Sequence, residues 1–274
     1  MGNVNAMAPR PRHGWDARIG QLAPPALLIG GALVAWQLAV MIWRVDRYLL
    51  PAPLDILRAG VQARGLLGQH VWQTAQETLL GFLAALAGGL LLGLAIDTSP
   101  WFRRAVYPLL VVSQTVPIVA VAPLLVIWLG YTIWPKIIVV ALVCFFPIVV
   151  NTADGLRSAD PELMALLRSM GASRRDLFRI VRLPGALPTI FSGVKIAITY
   201  SVVGAIMGEW VGASKGLGIF MLRATNSFRT DWVFASIAIT ALLSVLLFGA
   251  VVLVERLWLR WYYTAARQEQ WEEV

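Results

Sequence analysis

The chain has 274 residues, of which 58% are hydrophobic and 14% are charged, and this balance excludes an ordinary soluble globular protein. Its net charge of +8 comes from arginine far more than from lysine. In so apolar a chain, we interpret this charge as a determinant of membrane topology and not as a nucleic-acid-binding surface. The single cysteine, Cys144, excludes an internal disulfide.

Six hydrophobic runs are long enough to cross a bilayer, which takes about 20 apolar residues. They predict an all-α fold of six transmembrane helices, with a membrane domain at 23–254, an N-terminal tail at 1–22 and a C-terminal tail at 255–274. The predicted spans are 24–43, 74–96, 105–129, 133–150, 187–211 and 232–254.

The distribution of basic residues predicts the orientation of these spans. The first run is too long for the apolar part of a cleaved signal peptide, and further spans follow it. If the N-terminus is inside, the inner segments carry 14 Lys and Arg residues and the outer segments carry 8, with Lys195 inside the fifth run. Because basic residues favour the cytoplasmic side, both termini are predicted to be cytoplasmic.

The first outer segment follows the first span and ends near Gln73. Prolines extend its start, and residues 55–67 have the pattern of an amphipathic helix that lies on the membrane. Such a helix is either a contact surface for an external protein or simply a surface helix, and the sequence favours the second.

Two features of the spans concern helix packing. Gly81, Gly88, Gly89 and Gly93 recur along the second run, and glycine at such spacing permits two helices to approach closely. Lys195 lies two turns into the fifth run, so its side chain is predicted to extend towards the cytoplasmic surface.

The third run contains Pro108, Pro117 and Pro123, with Gln114 and Thr115 near its middle. Interrupted spans are tolerated where their free backbone groups line a cavity or are covered by protein. Gln114 and Thr115 are therefore candidates for a translocation path, although an interhelical hydrogen bond explains Gln114 equally well.

The remaining candidates for this path lie in the second and fifth runs. They are Glu77, Tyr200, Ser201, Glu209 and Trp210. A carboxylate in a span is costly unless it faces a partner or a wet cavity. Because both carboxylates are placed near the outer ends of their spans, a secondary transporter with ion-coupling acids at mid-membrane is disfavoured.

The longest polar interruption, residues 152–186, predicts two short helices joined at a glycine. Asp160 and Pro161 form a start signal for an amphipathic helix at 162–169. Gly171 permits a helix end with positive φ. Ser173 is predicted to cap a second helix at 174–182, which Leu183 and Pro184 would end.

Within this segment, Gly171 is followed after nine residues by Val181 and then, after one more, by Leu183-Pro184. This order resembles the signature loop of the permeases of ABC importers, and the resemblance extends from about residue 49 to the C-terminus. The chain departs from the family where the motif begins, because Ala165-Leu166-Leu167 replaces Glu-Ala-Ala. The resemblance assigns ATPase coupling to Glu162, Ala165, Ser169, Gly171, Ala172, Ser173, Leu183 and Pro184.

The resemblance implies the type I ABC-importer permease fold and a non-catalytic subunit in the inner membrane of a bacterium. Its implied partners are a pair of ABC ATPase subunits that bind ATP and Mg²⁺, an extracytoplasmic solute-binding protein and a second permease chain, most simply an identical one. We call residues 152–186 the coupling segment.

The nature of the substrate rests on a finer resemblance. Permeases of the sulfonate branch commonly have a basic residue four positions before Gly81-Phe82, where this chain has Glu77. An acid there, and Gly208-Glu209-Trp210 before the glycine-rich loop, resemble permeases for hydroxymethylpyrimidine, a thiamine precursor, or for riboflavin. We therefore expect a vitamin or vitamin precursor, with an aliphatic sulfonate, taurine or nitrate as the alternative.

No catalytic or metal-binding constellation is evident in the sequence. His13 and His70 are far apart, and the stretch VGASKGLG at 211–218 lacks the lysine that follows glycine in a phosphate-binding loop. We therefore predict no catalytic residue, no metal and no cofactor in this chain, and a six-span membrane enzyme is disfavoured.

Overall fold

The computed structural model describes residues 14–262, with side chains from residue 23 onward, so parts of both predicted tails and His13 lie outside the described residues. All regular structure within this range is helical. The helices are α1 Gly14–Ile42, α2 Pro53–Gln62, α3 Arg64–Thr98, α4 Pro100–Ser113, α5 Ile118–Leu129, α6 Trp134–Arg157, α7 Pro161–Ser169, α8 Arg174–Leu177, α9 Leu183–Trp210, α10 Leu217–Asn226 and α11 Thr230–Trp258.

Five of the predicted spans are continuous helices of membrane-crossing length and apolarity. They correspond to α1, α3, α6, α9 and α11, and several extend past the apolar runs because a helix can continue into polar sequence. Thus α1 begins at residue 14, inside the predicted tail, and α3 begins ten residues before the predicted span.

The third run, 105–129, is interrupted as its prolines predicted, although at Pro117 alone. It forms α4 and α5, whose axes are bent by 95° at the break between them. Pro117 lies in this break with extended backbone, φ −67° and ψ 118°. A proline has no N–H to donate and disfavours helical geometry in the residue before it. Pro108 and Pro123 lie inside α4 and α5 and do not interrupt them.

The core is formed by α3, α6 and α9, which share a cluster of buried apolar side chains. The glycines of α3 face α6 closely, as predicted. A Cβ at Gly81 would lie 2.5 Å from the Val140 Cβ, and one at Gly89 would lie 2.7 Å from the Ile148 Cγ2. Because no real Cβ atom tolerates such contacts, glycine is required for this helix spacing.

The predicted amphipathic helix at 55–67 is shorter than expected. α2 ends at Gln62, and after Ala63 the chain turns into α3. Ala59, Ala63 and Leu67 are buried, whereas the larger apolar side chains of Leu57 and Val61 are 65% and 64% exposed. The described residues therefore leave much of the apolar side of α2 uncovered.

The second helix of the coupling segment does not end at Leu183-Pro184, which corrects the prediction. α8 is followed by one π-helical turn, Phe178–Arg182, and the chain then continues directly into α9. The amide of Leu183 donates to the Phe178 carbonyl five residues back. A widened turn of this kind relieves the clash between a proline ring and the preceding turn. As a result, α8, the π-helical turn and α9 form one continuous rod, which joins the second half of the coupling segment to the core.

Candidate coupling site and polar cluster

The first helix of the coupling segment, α7, has the predicted start. The Asp160 Oδ1 accepts hydrogen bonds from the amides of Glu162 at 2.8 Å and Leu163 at 3.4 Å, which satisfies backbone donors at the helix N-terminus. None of its residues is buried, and the side chains of Leu166 and Met170 are 57% and 74% exposed. An exposed amphipathic helix is suited to a protein groove.

The turn between α7 and α8 also has the predicted geometry. Gly171 adopts φ +85°, and the Ala172 amide donates to the Leu167 carbonyl at 3.0 Å, as is typical of a glycine-ended helix. Ser173 caps α8 in a reciprocal arrangement with Asp176. The part of Asp176 in this cap was not predicted, although Ser-x-x-Asp at the start of a helix is a recognisable capping signal.

The structure separates the predicted coupling residues into two groups. Glu162, Ala165, Ser169, Gly171 and Ser173 are exposed around α7 and the turn, with Ala172 partly buried beside them. By contrast, Leu183 and Pro184 are partly buried where the π-helical turn joins α9. The first group is accessible at the surface of the described chain, and the second lies between that surface and the core.

Glu209, a predicted path residue, is fully buried and holds the start of α10. Its Oε1 accepts a hydrogen bond from the Thr74 hydroxyl at 2.6 Å, and its Oε2 accepts one from the Gly218 amide. The Gly216 backbone has φ +130°, and a Cβ there would lie 2.2 Å from the Glu209 carboxyl carbon. Carboxylate oxygens near the first amides of a helix stabilise its positive end.

His70 and Thr74 complete this arrangement and were missed as functional residues. The His70 Nδ1 accepts a hydrogen bond from the Gly216 amide at 2.9 Å, and the Thr74 Oγ1 accepts one from the Leu217 amide at 2.8 Å. These contacts join residues 143 and 146 positions apart. Because local periodicity carries no information about such separations, the sequence had no signal for them.

Glu77 is also buried, with 1% of its surface exposed. Its Oε1 accepts a hydrogen bond from the Gln73 amide group at 2.9 Å, whereas its Oε2 has no hydrogen-bond partner among the residues that the structure describes. Glu77 lines a cavity of about 90 Å³ together with Lys136 and Lys215. We call His70, Thr74, Glu77, Lys136 and Glu209 the polar cluster. Its two carboxylates, Glu77 and Glu209, were both candidates for the translocation path and are buried within the described part of this chain.

The other predicted path residues do not form one group. Gln114 and Thr115 are exposed at the bend between α4 and α5. On α9, Tyr200 is 55% exposed and Trp210 is 47% exposed, whereas Ser201 is fully buried and donates to the Ile198 carbonyl at 2.6 Å.

The Lys195 side chain, predicted to extend towards the cytoplasmic surface, reaches Glu255, the first residue of the predicted C-terminal tail. Its Nζ lies 2.9 Å from the Glu255 Oε1, and the side chains are 25% and 5% exposed, respectively. This ion pair joins α9 to α11. A buried carboxylate needs such a partner, and no local pattern predicts this pair because the two residues are 60 positions apart.

The sequence pattern of the family described as "Binding-protein-dependent transport system inner membrane component" matches residues 79–260. This chain belongs to that family. It is an ABC-importer permease, a multi-pass inner-membrane transport subunit.

Similar members transport different solutes. The chain is 40% identical over 242 residues to the formylaminopyrimidine transport permease protein ThiX of Halalkalibacterium halodurans. The matched region covers 88% of this chain and 96% of ThiX. It is 38% identical over 231 residues to the riboflavin transport system permease protein RibX of Chloroflexus aurantiacus, covering 84% and 86%. It is 31% identical over 222 residues to the taurine transport system permease protein TauC of Escherichia coli, covering 78% and 81%.

The fold is shared with solved ABC importers. A chain of the methionine transporter MetNI, in inward-facing conformations, matches with a TM-score of 0.62 and 21% identity, covering 71% of this chain and 97% of that chain. The predicted type I ABC-importer permease fold is therefore confirmed.

Proposed function

We propose that this permease is driven by a separate pair of ABC ATPase subunits and carries into the cell a vitamin or vitamin precursor with a heteroaromatic ring, such as a pyrimidine precursor of thiamine or riboflavin. The observation that carries the ATP-driven part of this proposal is the continuous rod from α8 through the π-helical turn into α9. It connects the exposed surface around Gly171 directly to the core of the membrane domain.

The surface around α7 and Gly171 is the proposed contact for the ATPase. α7 exposes apolar side chains at helical spacing, among them Leu163, Leu166 and Met170, which are 42%, 57% and 74% exposed. Among the described residues, no element covers this apolar face. A helix presented in this way docks into a groove through side chains three and four positions apart. ATP and Mg²⁺ would be bound by the ATPase, and displacement of its groove would move α7 and, through the rod, α9.

Two further partners complete the proposed transporter. A second copy of this chain would form the other half of the pathway, because six spans make one half of a symmetric assembly. An extracytoplasmic binding protein would deliver the solute to the side opposite the coupling segment. Both termini would then lie in the cytoplasm, in agreement with the bias in basic residues.

The substrate is proposed from the relatives and from the chemistry of the chain. The identities of 40% to ThiX and 38% to RibX exceed the 36% to the putative aliphatic sulfonates transport permease protein SsuC of Escherichia coli and the 31% to TauC. Trp210 presents an aromatic ring at a half-exposed position of α9, and aromatic rings stack on flat heterocycles. An aliphatic sulfonate, taurine or nitrate remains the second candidate because the taurine permease belongs to the same family.

Ligand screening of the cognate binding protein tests the substrate. A bound solute raises the melting temperature of its binding protein, by an amount that increases with solute concentration over Kd. We expect formylaminopyrimidine, hydroxymethylpyrimidine or riboflavin to raise it, with taurine, an alkanesulfonate and nitrate measured in parallel. A response to the anions alone would contradict the heteroaromatic substrate and leave the importer assignment intact.

A further inference from the structure

Arg182 is the last residue of the π-helical turn, and its side chain reaches two other core helices. Its Nη2 lies 2.6 Å from the Asp97 Oδ1 near the end of α3. Its Nε and Nη2 donate to the Leu156 carbonyl of α6 at 3.2 Å and 2.9 Å. One guanidinium therefore contacts the ends of α3 and α6 from the start of α9.

Both partners lie at helix C-termini and need a hydrogen-bond donor, and Asp97 also needs a positive charge. Asp97 is the next-to-last residue of α3 and its side chain is 7% exposed, so a carboxylate lies at the negative end of a helix and out of water. The Leu156 carbonyl is among the last four of α6, which have no amide partner within the helix. The planar fork of arginine, with five donors, satisfies both at once, whereas a lysine ammonium has no such fork.

The same end of the bundle has a second cross-connection. The Arg103 Nη2 of α4 lies 3.1 Å from the Asp154 Oδ1 of α6. Through α6, the contacts of Arg182 are thus continued to the helix that leads to the bend at Pro117. Helices α3, α4, α6 and α9 are connected here by charged side chains close to the coupling segment.

We propose that Arg182 is a positioning residue that makes α3 and α6 move together with α9 when the coupling segment is displaced. This inference rests on the proposed ATP-driven function. The rod already transmits a displacement of α7 and α8 to α9. Without the guanidinium, α9 would tilt while the ends of α3 and α6 remain behind, and ATP hydrolysis would proceed without the full rearrangement of the membrane helices.

The test compares ATP hydrolysis with the movement of the membrane helices and requires no knowledge of the substrate. The full chain, assembled with its ATPase in proteoliposomes, carries a single cysteine at Gln114 or at Tyr200 in a Cys144→Ala background. Both reporter positions are exposed. The maleimide-labelling rate of each reporter is measured with and without ATP, beside the rate of ATP hydrolysis.

Three substitutions are introduced into this background. Arg182→Gln removes the cation, and Asp97→Asn removes only the ion pair and retains the bonds to Leu156. Arg104→Gln is the matched control, because Arg104 is an exposed arginine of α4 near the same end of the bundle. We expect Arg182→Gln to retain ATP hydrolysis and to reduce the ATP-dependent change in labelling by roughly tenfold, within the range typical of coupling between sites. Asp97→Asn should cause a smaller reduction, and Arg104→Gln none.

The outcomes distinguish the two proposals. If neither reporter responds to ATP in the unsubstituted complex, the ATP-driven function itself is contradicted. If the unsubstituted reporters respond and Arg182→Gln responds equally, Arg182 does not couple the helices. A lower yield of complex with a full ATP response in what assembles would mean that Arg182 only stabilises the fold. Should Arg182→Gln fail to assemble, an undiminished response in Asp97→Asn would overturn the proposal.

Discussion

Gly171 determines the path of the chain between α7 and α8 through its backbone alone. At φ +85°, a side chain is strained, yet a Cβ there would meet nothing within 4 Å. Gly171→Val should cost on the order of 1–2 kcal/mol and distort the turn, so we expect transport to be lost while the protein still reaches the membrane. Gly171→Asn is the matched control, since asparagine tolerates this conformation. Normal uptake by the valine variant, with its ATPase bound, would contradict the role of this turn.

Two substitutions of Glu77 distinguish a structural role of this residue from a role in the substrate path. It is buried beside Lys136 in the polar cluster, so Glu77→Arg would place two cations together and should abolish uptake through loss of folded protein. Glu77→Gln retains the shape and an acceptor for Gln73. We expect it to preserve the yield and thermal stability of the purified protein. Reduced uptake in a stable Glu77→Gln protein would indicate contact with the solute, and a stable Glu77→Arg protein would contradict the packing described above.

At the scale of elements, the Lys195–Glu255 pair fastens α11 to α9. Lys195→Met leaves the Glu255 carboxylate, whose side chain is 5% exposed, without its partner. The destabilisation should be about 2 kcal/mol, below the value for a fully buried pair because the Lys195 side chain is 25% exposed. Lys195→Met/Glu255→Met should recover most of it in thermal unfolding of the detergent-solubilised protein. A double variant no more stable than the single one would contradict this explanation.

The elements also show which signals the sequence carries. The caps at Asp160 and Ser173 and the positive φ of Gly171 were predictable because each depends on neighbours within four residues. Leu183-Pro184 was misinterpreted as a helix end, since the π-helical turn that accommodates the proline has no residue signature. The contacts of His70, Thr74 and Glu209 were beyond prediction, because they depend on how α3, α9 and α10 are arranged in space.

The whole molecule is predicted to cross the membrane with α2 outside and the coupling segment inside the cell. In a Cys144→Ala background, Gly60→Cys in α2 and Ser173→Cys in the coupling segment provide two exposed or partly exposed positions on opposite sides of the proposed membrane. A membrane-impermeant maleimide applied to intact cells should label position 60 and label position 173 only after the cells are opened. Labelling of position 173 from outside would reverse the proposed topology.

Uptake by the reconstituted complex tests whether this permease imports its solute at the expense of ATP. The permease, its ATPase and its binding protein are assembled in proteoliposomes with ATP on the side of the coupling segment, and radiolabelled formylaminopyrimidine is supplied with the binding protein on the other side. We predict that the radiolabelled solute accumulates on the side of the coupling segment only when ATP is present. Accumulation should be absent with a non-hydrolysable analogue and lost in Gly171→Val. Accumulation that is independent of ATP, or unchanged when the ATPase is omitted, would contradict this prediction.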